Sequence, residues 1–116
     1  MENEEIEKAK RFIVVEIIEY VSHSVVSTTI LKKPTGVVSV VSFDSGEGLT
    51  EKTSPFDTFI QVIEGMTEIL IDGVPTVLNV GQSIIVPAHS RNSIKANGRF
   101  KIISTIIKSG YEELTV

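Results

Sequence analysis

The chain has 116 residues, no cysteine and a formal net charge of −4, from 11 Lys and Arg against 15 Asp and Glu. That length suits one domain with a single core. The missing cysteines exclude a disulfide framework and a thiolate metal site, and the scattered basic residues argue against nucleic acid. No apolar run approaches the ~18 residues of a membrane span; the longest, Phe12 to Ile18, is interrupted by Glu16. The acidic start Met1-Glu2-Asn3-Glu4-Glu5 is unlike a secretory signal. A cysteine-free chain fits a reducing compartment, so a cytoplasmic location is expected.

Residues 1–12 form a charged segment, expected to be a short solvated helix or an arm. Acidic residues precede Lys8, Lys10 and Arg11, which suits a helix dipole, and Glu4–Lys8 and Glu7–Arg11 have i,i+4 spacing. From residue 13 to 116 the chain reads as one β domain. Val, Ile and Thr account for 41 of the 116 residues, and branching at Cβ favours extended backbone. Phe12 to Tyr20 is ambiguous between helix end and strand. Strands are predicted at Val25–Lys32 and Val37–Phe43, joined by the turn Pro34-Thr35-Gly36, and at Phe59–Ile63 after a loop from Asp44 to Gly48. Thr67–Ile71 and Val74–Leu78 flank Asp72-Gly73, a hairpin signal because both turn residues tolerate positive φ. Ile84–Val86 ends at Pro87. Ser93–Ala96 and Arg99–Lys108 flank Asn97-Gly98, which predicts a second hairpin of the same kind.

Short strands with regular turns indicate an all-β sandwich or barrel. Phe100, Ile102 and Ile106 alternate with Ile103 and Ile107, so the last strand is apolar on both faces. A strand covered on one side only alternates more cleanly. The N-terminal segment or a second subunit is expected to cover the outer face, and a homodimer is predicted.

Two segments carry the functional signal. Lys52, Ser54 and Thr58 are followed by Gly65, and Gly81 is followed by Pro87 and Asn92. This spacing resembles the two motifs of the small cupins. In metal-binding cupins the first motif is His-x-His, a Glu four residues on and a Gly seven further; the second is a Gly, then a Pro, then a His. The stretch Pro55 to Gly65 is similar to a group of small single-domain bacterial cupins, as are Lys95-Ala96, Phe100-Lys101 and Ile106-Ile107-Lys108. The resemblance covers about residues 35 to 108. It implies a double-stranded β-helix of the RmlC-like jelly-roll kind, with positions 52, 54, 58 and 92 pointing into a pocket at one open end. That group often keeps a His at position 52 and another at position 92, and this chain keeps neither.

Lysine, two hydroxyls and an amide supply no negative charge to balance a dication, so no metal and no cofactor are expected. Lys52, Ser54, Thr58 and Asn92 would instead form a cluster suited to a carboxylate, a phosphate or a polar neutral molecule. The blander alternative is that Lys52 reaches solvent and the hydroxyls satisfy nearby backbone. His89 lies three residues before Asn92 and is a further pocket candidate; Asp57, next to Thr58, should face the other side of its strand. A metal-independent isomerase or epimerase would use His89 as base and Lys52 as acid, and a desolvated Lys52 could form a Schiff base. A metal-dependent enzyme would have to recruit His89 or Asp57. A regulatory module would use the acidic arm. No catalytic residue is assigned, and the partners expected are a second copy and a small molecule, with no nucleic acid and no membrane.

Overall fold

The structure, a computed structural model, describes residues 5–111. Nine strands run β1 (Val25–Lys33), β2 (Gly36–Phe43), β3 (Leu49–Lys52), β4 (Asp57–Glu64), β5 (Thr67–Ile71), β6 (Val74–Leu78), β7 (Ser83–Val86), β8 (Asn92–Ile94) and β9 (Phe100–Ile107). They form two antiparallel sheets, ordered β1-β2-β9-β4-β7 and β3-β8-β5-β6. The chain crosses repeatedly from one sheet to the other, and the inner faces meet as an all-β jelly-roll barrel. Among the described residues no helix is long and apolar enough to cross a membrane.

The closed end of the barrel is the core. Phe43 and Phe100 are in register on β2 and β9 and stack with centroids 4.3 Å apart. Val62, Ile69, Leu78 and Ile102 close around them. Burial of this apolar surface drives the two sheets together.

The Asp72-Gly73 hairpin forms as read, with φ of 48° and 82° at its two turn residues. One element reading needs correction. The second hairpin does not form: β8 lies in the small sheet and β9 in the large one, so Asn97-Gly98 is a crossover. Neither residue has positive φ, and the Asn97 carbonyl accepts the Gly46 N–H at 2.6 Å. The short edge strand β3, Leu49-Thr50-Glu51-Lys52, is mostly polar and lies in a stretch to which the sequence signals assign no element.

The start of the chain takes the second of its two expected forms. Its described part is an arm, and its one helical turn is a 3-10 turn at Val14–Glu16. The arm is tied to β1: the Ile6 N–H donates to Ile30 O at 3.1 Å, and Glu5 accepts the Lys32 N–H at 2.7 Å and Lys33 Nζ at 3.2 Å. Of the two expected ion pairs, one involves Glu4, outside the described residues; Glu7 lies 3.9 Å from Lys10 instead of pairing with Arg11.

Residues 14–24 then cross the outer face of β2 and β9, part of the cover that the last strand's composition called for. Ser42 and Lys101 are opposite each other in register and face outward. Ser42 Oγ donates to the Glu19 carbonyl at 3.0 Å, and Lys101 Nζ to the Val15 carbonyl at 2.8 Å. Tyr20 donates to Glu64 at 2.5 Å, with the Arg99 and Lys101 cations 5.0 and 4.9 Å from its ring centre.

Candidate functional site

The open end of the barrel holds a cavity of about 190 Å³. Strand register orders its walls by depth. Thr58 on β4 is flanked by Val86 on β7 and Ile106 on β9. Two residues deeper, Ile60 faces Ser104 on β9. Beyond these lie Val41 and Ile102, paired across β2 and β9, and then Phe43 at the floor. The small sheet contributes Lys52 and Asn92, paired across β3 and β8, with Leu49 and Ile94 below them.

Lys52, Ser54, Thr58 and Asn92 all line this cavity. Lys52 ends β3 and is exposed at the mouth, while Asn92 is buried beside it. The Asn92 amide donates to the carbonyls of Lys52 at 3.3 Å and Ser90 at 3.4 Å, which holds the mouth together. Ser54 Oγ accepts the Phe56 N–H at 3.2 Å and keeps its own hydrogen to donate. The Thr58 hydroxyl makes no hydrogen bond with the described residues.

His89 does not join them. It is exposed, has φ of 69° and is not among the lining residues. Its backbone N–H donates to the Ser54 carbonyl at 2.6 Å, so position 89 shapes the mouth through the main chain. Asp57 also works outside the cavity: its Oδ1 accepts the Ala88 N–H at 2.8 Å, and its N–H donates to the Tyr111 hydroxyl at 2.6 Å. The Tyr111 ring rests against Phe56, a lining residue at the mouth.

Sequence reasoning missed Ser104. Its signal was present, because Ile102 and Ile106 on one face of the last strand require residue 104 to share that face. The hydroxyl sits midway down the wall between these isoleucines.

The donor set does not fit a transition metal. The lining holds an ammonium, three hydroxyls and an amide, with no imidazole or carboxylate. Among the described residues no three His, Cys, Asp or Glu side chains are grouped to hold a metal ion. The groups with displaced titration lie elsewhere. Glu5 and Asp44 are each held down to about 2, first by a backbone N–H, from Lys32 and His23 respectively, then by nearby cations. The Tyr20 phenol is pushed up by burial and by Glu64.

This geometry has close parallels among solved structures. A conserved protein of unknown function from Streptococcus pyogenes superposes with a TM-score of 0.84 at 25% identity, over 92% of this chain and 93% of that one. A cupin 2 conserved barrel domain protein from Leptotrichia buccalis gives 0.80 at 30% identity, over 84% of this chain and 47% of that one. The chain is a small cupin domain. A cupin superfamily protein from Desulfitobacterium hafniense gives a TM-score of 0.83 at 23% identity, over 92% of this chain and 97% of that one. No family model matches the cupin sequence, and no curated protein matches it significantly.

Proposed function

We propose that this cupin domain is a cytoplasmic homodimer that binds a small organic molecule in its barrel cavity without a transition metal. Support comes from one observation: the four positions that hold metal ligands in other cupins converge here on a single cavity as Lys, Ser, Thr and Asn. The frame positions side chains, and the side chains determine the chemistry. An apolar cavity with a few convergent polar groups is suited to a small organic ligand.

Catalysis through Lys52 and His89 has less support. An amine becomes a base or Schiff-base nucleophile when desolvated, and Lys52 is exposed, while His89 lies outside the lining. The homodimer is supported by exposed apolar residues on the outer face of the large sheet, among them Phe59 and Ile85, which are in register on β4 and β7.

Ligand binding is tested by adding small organic acids and alcohols to isotopically labelled protein. The methyl resonances of Ile60, Ile102 and Ile106 should shift, and those of the outer residues Ile85 and Ile107 should stay in place. Unmoved cavity methyls, or shifts spread over the outer face, would contradict the reading.

A further inference from the structure

If the cavity holds an organic molecule, as proposed above, its walls specify the class. Nine of its fourteen lining residues are apolar, and these occupy most of the depth. At about 190 Å³ the space slightly exceeds the ~150 Å³ engineered cavity that accommodates benzene. One ring or a branched aliphatic group with a short polar arm fills it; a disaccharide or a nucleotide does not fit.

The polar groups gather at the mouth. Lys52 is the one charged residue in the lining and forms no ion pair with the described residues. Ser54 and Thr58 each have a hydroxyl hydrogen free to donate toward the same region. One ammonium and two neutral donors match a single negative charge with planar oxygens. A phosphate dianion would bring a second charge to apolar walls that hold neither an arginine nor a second lysine, and an unpaired charge in such surroundings is costly.

We propose that the cavity takes a compact monocarboxylate with an aromatic or branched aliphatic body. Its carboxylate lies at Lys52 with the Ser54 and Thr58 hydroxyls, and its body lies against Ile60, Ile102 and Ile106. The Ser104 hydroxyl is the one polar feature beside that body.

The test is calorimetric titration of the full chain with three probes sharing one ring: phenylacetate, 2-phenylethanol and phenyl phosphate. Phenylacetate should bind about tenfold more tightly than the alcohol or the phosphate, the size of effect expected from one charge-assisted contact. In Lys52→Gln, an exposed substitution, the preference for acid over alcohol should disappear. Equal or tighter binding of the alcohol or the phosphate would overturn the monocarboxylate assignment and leave the ligand cavity standing. No binding of any probe at millimolar concentration would overturn both. An acid preference that survives Lys52→Gln would overturn the role of Lys52, and the assignment with it.

Discussion

Asp44 joins three parts of the chain. Its carboxylate accepts the His23 N–H at 2.7 Å and Arg99 Nε at 2.8 Å, linking the N-terminal segment to the start of β9. These bonds favour the charged form and lower its pKa from 3.8 to about 2. A carboxyl with a depressed folded-state pKa contributes stability above its unfolded value and loses it as pH falls toward the folded one. The stability due to Asp44 is therefore present above about pH 4 and fades between there and pH 2. Asp44→Asn should flatten that part of the acid limb when urea midpoints are measured from pH 5 to 2; an unchanged slope would show that the carboxylate is not engaged. Tyr20 has the opposite sign. Its pKa is raised, so the neutral phenol is the form that donates to Glu64, and its contribution is lost only as pH rises past the ordinary phenol range.

At the scale of elements, two glycines of the motif frame are used for different reasons. Gly81 has φ of 87° in open space, so only the backbone angle requires it. Gly65, just after β4, combines φ of 74° with a close approach: a Cβ there would lie 2.3 Å from the Arg99 carbonyl oxygen. Gly65→Ala should cost about 1–3 kcal/mol for the backbone conformation alone, and more from the overlap. Gly46→Ala, with similar φ and nothing nearby, should cost clearly less in urea unfolding. Equal costs would mean that the approach to Arg99 does not constrain the turn.

Much of this scale was legible in the sequence, because the spacing of glycines, prolines and β-branched runs is a local signal. Asn97-Gly98 shows the limit. A turn dipeptide bends the chain, but whether the flanking strands pair is decided by distant partners, here β3 and β5 for β8, and β2 and β4 for β9. The charged arm shows the same limit, since its helix-like pattern gives way to backbone bonds with β1. At the cavity, the resemblance to the small cupins, and not periodicity, brought Lys52, Ser54, Thr58 and Asn92 together, and all four line it. His89 does not, because a positive φ breaks the alternation that orients side chains along a strand.

At the scale of the molecule, the outer face of the large sheet carries a row in register across all five strands: Leu31, Val38, Thr105, Phe59 and Ile85. Phe59 is 39% and Ile85 63% exposed, and Ile107 in the next row is 48% exposed. The N-terminal segment leaves this end of the face open, and an apolar row of that kind favours association. Sedimentation velocity should give a dimer at micromolar concentration, and Phe59→Asp should shift it to monomer; a native monomer would exclude the dimer.

On the inner face, we propose, the cupin frame positions groups for an organic ligand instead of a metal. Plasma mass spectrometry of the untagged protein, purified without added metal or chelator, tests it most directly. The donor set of Lys52, Ser54, Thr58, Asn92 and Ser104 predicts iron, zinc and manganese far below one atom per chain. Near-stoichiometric metal would contradict the account and would mean that ligands outside the cavity lining, such as His89 or Asp57, are recruited.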